Sequence, residues 1–440
     1  MNIAFRPKSS LRFIIPSPPV SRQNLKWVSS ATTKTPPQLP LRPEDHLLLF
    51  FNGGKNQKLP DYELALVSAL KSCSSLLAIT QGQQIHGLVL KSGLLSNIFI
   101  QNSLIHMYAK CGIIANARSI FDSCSVLDSV SFNIMVAGYV KCGRLDDARR
   151  LFDVMPAKGC VSYTTMIMGL AQNDCWIEAI EVFKDMRFAG VTPNEVTMSS
   201  VISAYSHLGG IWNGRMLHAL VNKLGLEMFI LVATNLVHMY SVCSSLHDAR
   251  ILFDFMPERN IVSWNVMLNG YSKAGLVDSA RELFERTPNR NVVSWGTMIN
   301  GYVQVGRLSE ALTIYRATLH SGLGPNEVMI VDIISACGQS MAFGEGQQFH
   351  SITIKTGFDC YDFIQATIIH FYAACRKVNL ACLQFELGSK DHLSSWNALI
   401  AGLIRNGMIE PARQLFNEMP ERDVFFMELN DIWLLTERAA

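Results

Sequence analysis

The sequence predicts an all-α protein, a right-handed α-solenoid of stacked helix-turn-helix repeats. Three observations point there. His106, His238 and His370 stand at intervals of 132 residues, as do Cys111, Cys243 and Cys375, and His86, His218 and His350. The text VSFNIMVAGYVKCGRLDDARRLFDVMP from Val130 returns as VSWNVMLNGYSKAGLVDSARELFERTP from Val262 and SSWNALIAGLIRNGMIEPARQLFNEMP from Ser394. Apolar content is 49% and charged content 17%, enough to bury a core through most of the chain. Self-similarity at a fixed period is the mark of a repeat array.

The N-terminal residues 1–43 carry seven basic side chains (Arg6, Lys8, Arg12, Arg22, Lys26, Lys34, Arg42) and no acidic one. That composition, with its serines, predicts an organelle transit peptide and linker; the arginines near the start favour the mitochondrion, with the chloroplast as the alternative. Residues 44–62 continue as linker. Without residues 1–43 the body holds 31 basic and 36 acidic residues, a net charge of −5, so bulk charge gives no support to nucleic-acid binding. Eleven scattered cysteines with no Cys-x-x-Cys pair predict reduced thiols in an intracellular compartment. No apolar run reaches the roughly 18 residues needed to span a bilayer, and no membrane association is expected.

Eleven units tile residues 63–423 without a gap: 63–97, 98–128, 129–159, 160–194, 195–229, 230–260, 261–291, 292–326, 327–361, 362–392 and 393–423. Lengths of 31 and 35 alternate so that four successive units span 132 residues. Each unit reads as a helix hairpin. In 261–291, Trp264, Leu268 and Tyr271 form the apolar face of a first helix. Gly275 closes it. Leu276, Ala280, Leu283 and Phe284 form the face of a second helix, and Pro288 stops it. The Ala-x-x-Leu-Phe pattern recurs at Ala148–Phe152, Ala249–Phe253 and Ala412–Phe416. One hairpin cannot bury such a face alone, but a stack can.

These phrases resemble pentatricopeptide repeats, and the alternation of 31 and 35 is similar to the land-plant PLS subclass, whose members include organellar RNA-editing factors. The long motifs would be 63–97, 195–229 and 327–361. Tetratricopeptide repeats, the competing hairpin family, run 34 residues and do not alternate in this way. The resemblance implies a concave surface that binds single-stranded RNA, one base per repeat.

In that family the fifth and last residues of a repeat meet one base edge, and the second packs on the base face. Carried over by register, the pairs are Asn102/Asp128, Asn133/Gly159, Thr164/Asn194, Thr234/Asn260, Asn265/Asn291, Gly296/Asn326 and Asn397/Asp423. The resemblance implies uracil at Asn102/Asp128 and Asn397/Asp423. It implies adenine at Thr164/Asn194 and Thr234/Asn260, and a pyrimidine at Asn265/Asn291. The base-packing candidates are Phe99, Val130, Val161, Leu231, Val262 and Val293. Val67, Val331 and Ala366 lack the polar group, as do Gly159 and Gly296. Any one of these Asn or Thr residues, taken alone, reads equally as a solvated or helix-capping side chain; five matched pairs in register favour recognition.

Family members commonly direct C-to-U editing, some through a zinc deaminase domain with His-x-Glu and Cys-x-x-Cys. Neither pattern occurs in this chain, nor does a phosphate loop or a Gly-x-Ser-x-Gly elbow. No catalytic residue, metal site or cofactor is expected, and a deaminase-bearing protein would act in trans. Residues 424–440 open like a further unit and then leave the template, so they read as a partial repeat cut short. The alternative function is a helical scaffold for a protein or peptide. The three His–Cys pairs are not expected to hold a metal: five residues at about 100° each turn the two side chains roughly 140° apart on one helix. His86, His218 and His350 align with Phe121, Phe152 and Phe253 and are expected to fill an aromatic's packing place.

Overall fold

A computed structural model describes residues 42–53, 59–324 and 326–420. The transit segment expected at 1–43 lies almost wholly outside these residues, as do Asp423 and the tail 424–440. Among the described residues there are 23 α-helices, two short 3-10 helices and no strand.

From residue 59 onward the helices pair into hairpins. Ten first helices begin at Ile98, Ser129, Cys160, Glu195, Ile230, Ile261, Val292, Glu327, Asp362 and Leu393. The hairpin before them opens earlier than its sequence template, at Leu59. The segment 44–62, read from sequence as a linker, is corrected here. It contains the helix Pro43–Gly53, packed on the helix Leu59–Leu76. Leu47 and Phe50 are buried there, and the Phe50 ring stacks 6.3 Å from Tyr62. The apolar run after Asp45 supplies enough surface to dock a helix.

Successive first helices pack directly on one another, whereas each second helix packs on its own first helix and on the first helix of the next hairpin. The first helices therefore form the inner wall of the curved array. Glycine makes that wall tight. A Cβ on Gly169 would sit 2.6 Å from a Val140 methyl, on Gly301 2.6 Å from Ser272 Oγ, and on Gly402 2.4 Å from the Ala373 Cβ. All three occupy the same place on their first helices. Between the two helices of each hairpin the residue at the fifteenth place takes a positive φ, joined in one hairpin by Gly210. It is Gly275 (73°) where the sequence placed a closing glycine, but Ser244 (59°) and Arg376 (58°) hold the equivalent place in other hairpins.

Aromatic pairs fill the joint between hairpins. Phe121, Phe152, Phe253, Phe284 and Phe385 meet Phe132, Tyr163, Trp264, Trp295 and Trp396 edge to face, with ring centroids 4.8–5.4 Å apart. Arg259 and Arg290 lie over the Phe253 and Phe284 rings and donate to the carbonyls of Phe253 and Phe284. In the longer hairpins His86, His218 and His350 hold this aromatic place. They also do what a phenylalanine cannot: each Nδ1 hydrogen-bonds the hydroxyl of Tyr108, Tyr240 or Tyr372, at 3.0, 2.9 and 2.7 Å. Burial holds all three imidazoles below the usual histidine pKa.

One acid is caught in the inner wall. Asp332 accepts from Asn300 Nδ2 at 3.1 Å, and Asn300 in turn accepts from Gln304 at 2.7 Å. Burial pushes the Asp332 carboxyl up to about 6, outweighing the single hydrogen bond.

Two outcomes follow from this packing. Gly402→Val should lower stability by about 1–3 kcal/mol, because a branched side chain there forces the two first helices apart; thermal melting against wild type measures it. Asp332 binds its proton more tightly folded than unfolded, so it makes stability fall as pH rises from about 4 to about 6 and leaves a constant deficit above that. Asp332→Asn should flatten that dependence and raise the melting temperature at pH 7.5, as read by melts across pH.

Candidate nucleic-acid interface

The last residue of each hairpin is the N-cap of the next first helix. Asp128 Oδ1 accepts from Ser131 N at 2.8 Å, Asn194 Oδ1 from Thr197 N at 2.9 Å, and Asn260 Oδ1 from Ser263 N at 3.0 Å. Asn291 and Asn326 do the same toward Ser294 and Met329, both at 3.0 Å. These bonds satisfy donors that every helix start leaves open. Capping and proximity to the fifth residue are thus properties of the same side chain.

The expected pairs are joined to different degrees. Asn102 Nδ2 donates to Asp128 Oδ1 at 3.3 Å, and Asn265 Nδ2 to Asn291 Oδ1 at 3.2 Å. Thr164 and Asn194 meet through a third group: Thr164 Oγ1 lies 2.6 Å from Thr197 Oγ1, which donates to Asn194 Oδ1 at 2.8 Å. Thr234 Oγ1 is buried with no hydrogen-bond partner, because the Ser263 hydroxyl turns to the Asn260 carbonyl at 2.8 Å. Asn133 is half-buried and faces a hairpin that ends in Gly159, a cap without a side chain. Asn326 caps its helix opposite Gly296, which offers no side chain. Asn397 Oδ1 is buried and unpartnered among the described residues; Asp423 lies outside them. At the unit without a polar fifth residue, His392 pairs instead with Asp362 at 2.7 Å.

The cap fixes which atoms remain free. Asp128 Oδ1 receives Ser131 N and Asn102 Nδ2 and has Ser131 Oγ 2.8 Å away, so Oδ2 is the open acceptor. Asn291 Oδ1 receives Ser294 N and Asn265 Nδ2, with Ser294 Oγ 3.0 Å away, so its open atom is Nδ2, a donor. Two junctions of the same geometry therefore present opposite hydrogen-bonding character. Burial alone would raise the Asp128 carboxyl, but the bonds from Ser131 and Asn102 hold it below the usual range, and it is ionised at neutral pH.

One residue after the helix start comes a row of exposed apolar side chains: Phe99 is 73% exposed, Val161 63% and Leu231 40%, with Val130, Val262 and Val293 between. Leu64, Val328 and Phe363 are exposed at the same register place in other hairpins. These three are not among the sequence candidates, although the register alone places them. Scattered exposed apolar residues are ordinary, but nine at one fixed place among eleven hairpins make a stripe.

Cations gather farther along the same first helices, around three histidines. Burial and the charges of Lys110, Lys71 and Lys141 hold His106 neutral, burial with Lys273 and His207 does so for His238, and burial with Arg405 for His370. Arg405 Nη1 lies 3.2 Å from His370 Nε2. His207 stacks on Trp176 with ring centroids 4.0 Å apart.

Comparison with known proteins places this architecture. The PPR repeat matches residues 130–160, 262–292, 293–323 and 394–424, and a second PPR repeat family matches 158–207. The chain is 60% identical over 365 residues to the Arabidopsis thaliana pentatricopeptide repeat-containing protein At5g19020, mitochondrial, covering 83% of this chain and 53% of that protein. It is 28% identical over 355 residues to At1g11290, chloroplastic, of the same plant, covering 81% of this chain and 36% of that protein. The chain thus spans about half or less of these relatives' length, and neither name denotes an enzyme. Its fold matches the crystal structure of the pentatricopeptide repeat protein PPR10 in complex with an 18-nt psaJ RNA element, with a TM-score of 0.67 and 18% identity over 85% of this chain and 57% of that one. With PPR repeats matched along the hairpins and a plant relative of this identity over most of its length, the chain belongs to the pentatricopeptide repeat family.

Proposed function

We propose that this chain is a sequence-specific binder of single-stranded RNA in an organelle. Each hairpin reads one base, and the chain serves as a specificity factor for C-to-U editing or other processing of mitochondrial transcripts. The observation that carries this reading is the junction: two polar side chains from adjacent helix starts, held by capping bonds, each with one hydrogen-bonding face left open. An unpaired base presents a matching edge. Asp128 offers an acceptor that suits the N3–H of uracil, and Asn102 a donor that suits its carbonyl. Asn291 offers donors, which suit pyrimidine carbonyls and the bare N3 of cytosine. Asn194 has its Oδ1 occupied by Thr197, so its Nδ2 faces outward as a donor to an adenine ring nitrogen. The exposed apolar stripe gives each splayed base a surface to pack on in place of lost stacking.

Organelle placement draws on the basic, acid-free N-terminus and on relatives named mitochondrial and chloroplastic. Catalysis would come from a deaminase-bearing protein in trans. The cations around His106, His238 and His370 on the first helices weigh against the alternative of a scaffold for a protein partner, since they suit a phosphate backbone.

Asp128→Asn tests the assignment with one atom's change of character. The open acceptor becomes a donor that opposes the uracil N3–H. Preference for uracil over cytosine at that one nucleotide should narrow by roughly tenfold. Competition between two RNAs differing at that base reads it, and unchanged preference contradicts the assignment.

A further inference from the structure

We infer that each base is read by two side chains held in place by a third, a buried hydroxyl from the third residue of the following hairpin. Ser131, Thr197 and Ser294 are these positioning residues. The inference rests on the base-reading assignment above.

Ser131 is 1% exposed, and Thr197 and Ser294 are fully buried, so none reaches a ligand. A buried hydroxyl is costly unless bonded, and these three are bonded to the reading pair. Ser131 Oγ lies 2.7 Å from Asn102 Oδ1 and 2.8 Å from Asp128 Oδ1. Ser294 Oγ lies 2.7 Å from Asn265 Oδ1 and 3.0 Å from Asn291 Oδ1. Thr197 Oγ1 lies 2.6 Å from Thr164 Oγ1 and 2.8 Å from Asn194 Oδ1. In the serine cases the hydroxyl proton faces the amide oxygen of the fifth residue. That locks the amide with its nitrogen toward the last residue and toward the open edge. A free amide would rotate and present oxygen and nitrogen alike.

The sequence follows the same logic in most hairpins; Ala366 is the exception, followed by Ser395, whose buried hydroxyl has no partner among the described residues. Where the fifth residue is Val67, Ser199, Gly296 or Val331, the third residue of the next hairpin is Ile100, Val232, Met329 or Ile364, with no hydroxyl. Where the pair is Asn102/Asp128, Thr164/Asn194 or Asn265/Asn291, it is Ser or Thr. Ser263 supplies an internal contrast. It is equally buried, but its hydroxyl bonds the Asn260 carbonyl and leaves Thr234 bare. Burial of a serine there serves the helix start without orienting the pair.

Binding titrations on RNAs carrying each of the four bases at one nucleotide test this. Ser131→Ala and Ser294→Ala should each lose roughly fivefold to tenfold of the base discrimination at their own nucleotide and keep it at the others. Ser131→Thr and Ser294→Thr should restore it. Ser263→Ala, matched for burial, should leave discrimination at the Thr234/Asn260 nucleotide unchanged, and melting curves separate any loss of fold. Should wild type discriminate while Ser131→Ala and Ser294→Ala discriminate equally well, the positioning role is overturned and base reading stands. Should wild type itself show no discrimination at these nucleotides, the base assignment falls and the inference falls with it.

Discussion

The capping bond that Asn97, Asp128, Asn194, Asn260, Asn291 and Asn326 make at six of the ten hairpin junctions is the interaction on which the rest depends. A helix start leaves backbone N–H groups open, and a short Asn or Asp side chain closes one of them. In this chain that side chain is the last residue of the preceding hairpin, so one hydrogen bond ends a unit, starts the next helix and fixes the register between them. It also spends one oxygen of the side chain and leaves the other terminal atom toward the inner wall. Asp128 and Asn291 do the same structural work and differ only in what that remaining atom offers. The helix start and the proposed base reading thereby fall to one residue, with the helix-glycine contacts at Gly169, Gly301 and Gly402 keeping successive inner helices close together.

Much of this was legible in the sequence because repetition writes it many times over. The helix starts, the closing residue at Gly275 and the aromatic seats of Phe253 and Phe284 all follow from one template and its copies. What escaped depends on contacts across hairpins. The helix Pro43–Gly53 has no copy to align with, so its apolar run passed for linker. The tyrosine hydroxyls that receive His86, His218 and His350 lie 22 residues away on the neighbouring hairpin. The Ser131 and Ser294 hydroxyls lie 29 residues from Asn102 and Asn265. Such distances enter no helical period, although the third-residue pattern is visible once hairpin numbering is fixed. The opposite is true of His106, His238 and His370. Their spacing looks like chemistry, but on the inner wall they stand beside Lys71, Lys110, Lys141, Lys273 and Arg405, neutral by burial and by these charges.

Charge shows the same difference between sum and placement. The body is net acidic, yet the first helices carry Lys71, Lys110, Lys141, Lys273 and Arg405 around His106, His238 and His370. Acidic residues such as Asp122, Asp254 and Glu285 pair along second helices with Arg118, Arg250 and Arg281, on the outer row. Surface pairs of that kind contribute little energy, but they keep negative charge away from the inner wall. A bulk count averages these two surfaces and loses the distinction that matters for binding.

The most direct measurement is selection of a randomised single-stranded RNA pool on the wild-type protein. One base per hairpin fixes the spacing of the selected bases. The account predicts one enriched pattern: uracil, adenine two nucleotides on, adenine two further, a pyrimidine next to it, and uracil four beyond, matching hairpins 98–128, 160–194, 230–260, 261–291 and 393–423. Enriched sequences without that spacing, or a pool left unchanged, would contradict it.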